Sequence, residues 1–189
     1  MTRAIVFDLY GVLALNGWQA FKAAHFKDRE DVWDQVFQLG RQVDARLRDY
    51  ADLITFTAEQ TGESEATVRY QLEHTVVNRE LLDFIRADLK GRYRLGILSN
   101  ASRDGVIEQL FSPKDRALFD AIITSREVGL AKPDSRMYEL VANKLGVEPM
   151  ECLYVDDQER HAAGARDAGM HPFVYTDVAA LKEKIGTLS

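Results

Sequence analysis

Ala4-Ile5-Val6-Phe7-Asp8-Leu9-Tyr10-Gly11-Val12 is the stretch on which the fold of this chain turns. Four apolar residues lead directly into a carboxylate, and a glycine follows three residues later. A short unbroken apolar run of this kind reads as a strand buried on both faces, as in a parallel sheet. Open α/β sheets bind ligands beyond the carboxyl ends of their strands, which is where Asp8 would stand. Gly11 lets the loop turn sharply around that acid. A lone Asp in such a place is often only a helix cap or turn residue, so its meaning depends on what other strand ends carry.

Working outward, apolar runs recur at 95–98, 121–123, 153–155 and 173–175, and helical patterns fall at 102–110, 136–145, 161–168 and 178–185. Strands alternating with helices predict a parallel sheet with right-handed crossovers. The strand ends carry Ser99-Asn100-Ala101-Ser102 and Asp156-Asp157-Gln158, and a loop carries Gly129-Leu130-Ala131-Lys132-Pro133. Three carboxylates, a lysine and a hydroxyl–amide pair are thereby brought to one rim.

From about 17 to about 78 the rhythm changes to amphipathic helices without a convincing strand. Asp28 and Ser64 suit N-caps, and Gly40 and Gly62 suit helix stops. Trp18, Phe21, Phe26, Val32, Trp33, Val36, Phe37, Tyr50, Leu53, Ile54 and Phe56 would form a separate small core. A helix near 81–89 then leads back to the sheet. The expected organisation is a catalytic core of residues 1–15 and 80–189 with an inserted helical cap at 16–79.

The 189 residues suffice for one α/β domain with a small accessory one, and 46% hydrophobic and 29% charged residues are ordinary for a globular protein. No apolar run approaches the roughly 20 residues that span a bilayer, and AIVF is too short for a signal peptide. A single cysteine, Cys152, excludes an internal disulfide framework and a cysteine-based zinc site; its setting in CLYV suits a buried core thiol. The net charge of −6 argues against nucleic acid as a partner. A soluble cytoplasmic protein with no membrane or nucleic-acid partner is expected, acting on a small molecule, with a homodimer left open.

The rim residues suggest a chemistry. Neighbouring carboxylates repel unless protonated or bridged by a cation. Oxygen ligands without Cys or His suit Mg2+, which can neutralise a transferring phosphoryl group. A carboxylate can also attack directly and divide hydrolysis into two easier steps. Ser99, nearby backbone N–H groups and Lys132 would stabilise developing negative charge.

The ordered set FDLYGVL (7–13), ILSNAS (97–102), LAKPDSRMYELVANKLGV (130–147) and YVDDQERHAAGARDAGM (154–170) resembles the four motifs of the haloacid dehalogenase superfamily. The match covers the first dozen residues and most of the chain beyond about 95. The resemblance implies a Rossmann-like core with its first strand central and a type 1 helical cap. It implies Asp8 as nucleophile and first metal ligand, and the backbone carbonyl of Tyr10 as a further ligand. Ser99 and Asn100 would bind the phosphoryl oxygens with Lys132. Asp157 would complete the metal site, with Asp156 behind it or on a metal-bound water.

Two positions depart from the superfamily's phosphatases. They usually place Asp two residues after the nucleophile as acid and base, where this chain has Tyr10. A neutral phenol donates a proton but is a poor base, and losing positioned acid–base help costs about 10²–10⁴ in rate. His161 stands where Asn or Asp is common, as a substrate-facing group or as a polar residue at a helix start. Tyr10 also fits a rival, because the superfamily's metal-independent 2-haloacid dehalogenases carry Asp-x-Tyr-Gly, and a departing halide needs no proton. Those enzymes have a Ser-Ser-Asn-x-x-Asp type of fourth motif, whereas this chain keeps Asp156-Asp157. A Mg2+-dependent phosphatase leads, with a dehalogenase and a catalytically impaired phosphoryl-binding protein as alternatives. Arg41, Arg46 and Arg48 are candidates for reaching an anionic substrate, although a solvated helix face explains them more simply. Trp18 and Phe21 fit core positions better than a substrate platform.

Overall fold

A computed structural model of the chain describes residues 1–44, 48–101 and 105–188. Its strands are β1 (Ala4–Phe7), β2 (Ala14–Leu15), β3 (Val76–Val77), β4 (Arg94–Ser99), β5 (Ala121–Thr124), β6 (Cys152–Asp156) and β7 (His171–Val174). Five of them form a parallel sheet in the order β5-β4-β1-β6-β7, and β2 pairs with β3. The fold is thus α/β with a Rossmann-like core and a central first strand.

The unbroken apolar run of β1 has a direct cause. Successive side chains on a strand point to opposite faces. Ile5 and Phe7 pack with Leu95, Ile97, Leu153 and Val155 on one side. Ala4 and Val6 pack with Leu98, Ile123, Cys152 and Tyr154 on the other. Both faces are dry, so no polar residue is tolerated until the strand ends. Cys152 is fully buried, and burial pushes its thiol up to about 12.

The chain divides into two units, Met1–Ala14 with Val77–Ser189, and Leu15–Val76. The first holds the five-stranded sheet. The second holds α1 (Gly17–His25), α2 (Glu30–Asp44), α3 (Tyr50–Thr61) and α4 (Glu65–Glu73). Its own core is Phe21, Phe26, Trp33, Val36, Leu53, Ile54, Val68 and Leu72, with Trp18, Val32, Tyr50 and Phe56 packed against it.

Helices α5 (Arg79–Phe84), α6 (Val106–Leu110), α7 (Pro113–Arg116), α8 (Ser125–Val128), α9 (Ser135–Leu145), α10 (Glu159–Asp167) and α11 (Val178–Gly186) complete the sheet unit, and a π-helical turn at Ile85–Leu89 continues α5. None of the described helices is long and apolar enough to cross a membrane.

Several local expectations are corrected. Gly40 does not stop α2, which runs on to Asp44; a Cβ there would lie 2.5 Å from Trp18 Cη2, so the glycine admits an indole. Asp28 precedes the start of α2 by two residues, whereas Ser64 caps α4 and Gly62 ends α3 at φ +76°. Phe37 is 48% exposed and lies outside the small core, which instead takes in Val68 and Leu72. Val76–Val77 is a strand within the stretch expected to lack one. The last strand begins at His171 and includes Pro172, tolerated because β7 is an edge strand. Tyr175 lies beyond that strand, although its N–H donates to the Asp156 carbonyl at 2.8 Å. Of the expected helix 102–110, the described part begins at Val106, and 102–104 lie outside the described residues.

Candidate active site

Asp8 follows β1 directly, and its N–H donates to the Val155 carbonyl at 2.8 Å. Phe7 is in register with Ile97 and with Val155, so Asp8, Ser99 and Asp156 emerge at one edge of the sheet. After Asp8 the chain turns tightly: Ala14 N–H donates to the Leu9 carbonyl at 2.7 Å, and Gly11 N–H to the Ala14 carbonyl at 2.9 Å. Gly11 has φ +86°, which a side chain rarely adopts, and an added Cβ would overlap the Asp157 carboxylate. The glycine therefore lets the fourth-motif acid rest directly on the loop that carries Asp8.

At the centre is a buried cation. Lys132 Nζ lies 2.8 Å from Asp8 Oδ1 and 2.9 Å from Asp156 Oδ2, and all three side chains are almost wholly buried. Asn100 holds this lysine in place by its backbone: Asn100 Nδ2 donates to the Lys132 carbonyl at 3.0 Å, and Lys132 N–H donates to Asn100 Oδ1 at 2.8 Å. The loop is held from its other side by α10, where a Cβ at Gly164 would lie 2.7 Å from the Pro133 carbonyl oxygen.

Asp156 is saturated. Besides Lys132 it accepts from Tyr154 OH at 2.6 Å, from Gln158 N–H at 2.9 Å and from His161 Nδ1, 3.1 Å from both oxygens. Burial alone would push this carboxyl up, but Lys132, Tyr154 and Gln158 outweigh it and hold Asp156 below its ordinary value. Asp8 differs. Burial pushes it up to about 7, with repulsion from Asp156 adding to the rise and Lys132 opposing it. One ammonium is shared by two acids, and Asp156 has further donors besides it.

Donor atoms of Asp8, Asp156 and His161 lie within 4.8 Å of one another. The Lys132 ammonium already bonds to both carboxylates of that group, so a cation's place between them is taken. The oxygens suited to Mg2+ lie on the Asp8–Gly11 loop and on Asp157 above it, all hard donors. That donor set fits the ion.

The structure thus brings Asp8, Tyr10, Ser99, Asn100, Lys132, Asp156 and Asp157 to one edge of the sheet. Ser99 Oγ is fully buried and has no hydrogen-bond partner among the described residues, an orphan that a bound ligand would satisfy. The Tyr10 ring is half-buried against the apolar cluster of β1. Arg46 lies outside the described residues, as does the side chain of Arg41; Arg48 is exposed and lies 3.9 Å from Asp52. His161 stands in the first turn of α10, a polar residue at a helix start as one expectation had it, but it is buried, 3% exposed. Burial lowers its pKa below the ordinary imidazole value, against the pull of the Asp156 carboxylate.

Tyr154 was not legible as a site residue, since its run CLYV reads simply as core. The available signal was its spacing: positions 154 and 156 share one face of a strand. Tyr138, whose OH donates to the His161 carbonyl at 2.9 Å, was hidden in the same way in an amphipathic helix.

Residues 2–169 match the family model of haloacid dehalogenase-like hydrolases. Bifunctional epoxide hydrolase 2 of Sus scrofa is 29% identical over 96% of this chain and 38% of its own length. (S)-2-haloacid dehalogenase of Pseudomonas putida is 25% identical over 88% of this chain and 81% of its own. The chain spans well under half the length of the first three curated relatives it matches. Among solved structures, a haloacid dehalogenase family enzyme from Bacteroides thetaiotaomicron in complex with magnesium and inorganic phosphate superposes with a TM-score of 0.57. It is 23% identical over 96% of this chain and 99% of that one. With the family model covering nearly the whole sheet unit and the helical insertion, the chain belongs to the haloacid dehalogenase-like hydrolases.

Proposed function

We propose that this chain is a Mg2+-dependent phosphatase that hydrolyses a small phosphorylated metabolite through an aspartyl-phosphate. The observation that carries this reading is the division of labour between the two fourth-motif acids. Asp156 accepts from Lys132 and Tyr154, and Asp157 lies against Gly11 in the loop that carries Asp8.

Asp8 Oδ1 accepts from Leu9 N–H at 2.6 Å and from Lys132, which fixes the carboxylate and leaves Oδ2 to attack phosphorus. The new Oδ2–P bond forms as the bond to the leaving oxygen breaks, and water later cleaves the acyl phosphate to regenerate Asp8. Ser99 Oγ and Lys132 hold the phosphoryl oxygens. Mg2+ would be held by Asp8, the Tyr10 carbonyl and Asp157, and when bound it neutralises phosphoryl charge. Tyr10 offers no carboxyl to protonate the leaving group, so aryl and other easily lost groups are favoured. Residues 16–79 are assigned the part of a cap that selects the substrate.

Tyr10 and the dehalogenase relative favour a second reading, displacement of halide from a 2-haloacid by the same Asp8. One preparation tests both, with an activated aryl phosphate and a 2-chloroacid, with Mg2+ and with chelator, against Asp8→Asn. Phosphate release that needs Mg2+ and vanishes in Asp8→Asn is the expected result. Halide release that survives chelator would replace the phosphatase with the dehalogenase. Neither product above the Asp8→Asn level would replace both with an impaired phosphoryl-binding protein.

A further inference from the structure

Asp156 has more donors than the chemistry requires, and two of them come from residues with no assigned role. Tyr154 OH and Lys132 Nζ donate to the same oxygen, Oδ2, at 2.6 and 2.9 Å. His161 Nδ1 sits 3.1 Å from each oxygen and braces the carboxylate from the α10 side. A side chain with four donors and no exposure cannot rotate without losing charge-assisted hydrogen bonds.

These two residues are themselves held. Tyr138 OH donates to the His161 carbonyl, and the Tyr138 and Tyr154 rings meet edge to face with centroids 5.1 Å apart. The Lys132 ammonium lies 5.7 Å from the Tyr154 ring centroid, so Tyr154 touches the cation with its ring and the anion with its hydroxyl.

The alternative partner for Lys132 is Asp8 itself. An ammonium free to swing between two carboxylates would follow whichever is more basic at the moment. During attack Asp8 loses its charge and Asp156 does not, so a mobile Lys132 would be drawn away from the reacting centre.

We propose that Tyr154 and His161 are positioning residues for the hydrolytic reaction, clamping Asp156 so that Lys132 stays aimed at Asp8 Oδ1 and the phosphoryl group throughout attack. His161 does this as the neutral Nδ1–H tautomer, with Nδ1 donating to Asp156. Its Nε2 is then a buried lone pair without a partner among the described residues, consistent with its surroundings. The inference rests on Asp8 being the nucleophile and holds for phosphate or halide as the product.

Three variants and one spectroscopic measurement test it. Tyr154→Phe keeps the ring and removes one donor, and His161→Leu removes the other. Each is expected to lower kcat by about 10- to 100-fold with KM changed less than about 3-fold. His161→Asn, whose amide nitrogen falls near the place of Nδ1, is expected to recover most of the loss. Separately, ¹⁵N NMR of the histidine rings is expected to show His161 protonated on Nδ1, unchanged in Asp8→Asn and altered in Asp156→Asn. Proton on Nε2 would overturn the clamp whether or not the enzyme turns over. So would unchanged kcat in both Tyr154→Phe and His161→Leu, or a loss confined to KM. Absence of turnover in the wild type would count against the phosphatase and dehalogenase readings alone, because the ring tautomer still decides the clamp.

Discussion

Lys132 Nζ stands 2.8 Å from Asp8 Oδ1, yet Asp8 remains pushed up to about 7. The lysine is shared with Asp156, and burial of Asp8 outweighs what remains. A raised carboxyl pKa means that the folded state binds a proton more readily than the unfolded chain. Stability therefore falls as pH rises from about 4 towards 7, and the penalty is complete above that. Without metal, Asp8→Asn should remove the penalty and leave a one-to-one Lys132–Asp156 pair. We expect it to be more stable than wild type by about 1–3 kcal/mol at pH 8, with no gain at pH 4. Urea titrations at the two pH values measure this, and a destabilised variant at pH 8 would contradict the account.

Gly11→Ala should damage the site more than the fold. The positive φ costs about 1–2 kcal/mol for an L-residue, and the new Cβ must displace the Asp157 carboxylate. Mg2+ affinity, followed by calorimetry, is expected to fall at least about 10-fold, in line with displacement of a metal ligand or its support. A variant that keeps full Mg2+ affinity would remove Asp157 from the proposed metal site.

Gly40→Ala reverses a familiar rule. In an exposed helix interior this change stabilises by about 1 kcal/mol. Here the Cβ would meet the Trp18 ring at 2.5 Å, and that ring is packed edge-on against Trp33 and Phe37. We expect a net loss of about 1–3 kcal/mol, visible as a lower midpoint in tryptophan-monitored unfolding. A higher midpoint would show that the indole moves aside freely.

Asp115 marks an acid-sensitive joint in the sheet unit. It completes the capping box of α7, whose N-cap is Ser112, and pairs with Arg79 at 2.8 Å and Arg86 at 2.9 Å. Burial raises its pKa, but the bonds from Arg79 and Ser112 outweigh that and leave it lowered. Its contribution is present above the ordinary carboxylate value and is lost as pH falls through the lower folded value. Both arginines are about half-exposed, so solvent screens part of the interaction. Asp115→Asn is expected to cost about 1–2 kcal/mol at pH 7 and progressively less below about pH 4. A pH-independent cost would assign its role to neutral hydrogen bonding.

Much of the sheet unit was legible because its strands are buried on both faces and announce themselves as unbroken apolar runs. Asp8, Ser99 and Asp156 follow such runs directly, so their arrival at one edge needs only the parallel topology. The helical insertion was legible by period and was misread in detail at Gly40 and Phe37. Helix propensity and periodicity describe a helix by itself, whereas Gly40 answers to an indole from another helix.

The sequence by itself determined the family, the α/β architecture and the set of groups at the rim, because order along the chain and strand polarity dictate which residues share an edge. Only the tertiary structure decided how those groups divide. Asn100 turned to the Lys132 backbone, Tyr10 to the apolar layer, and Asp156 to Lys132, Tyr154 and His161. Hydrogen bonds are matters of a few tenths of an ångström and of direction. Those are fixed by packing between elements distant in the chain, which no local pattern of residues encodes.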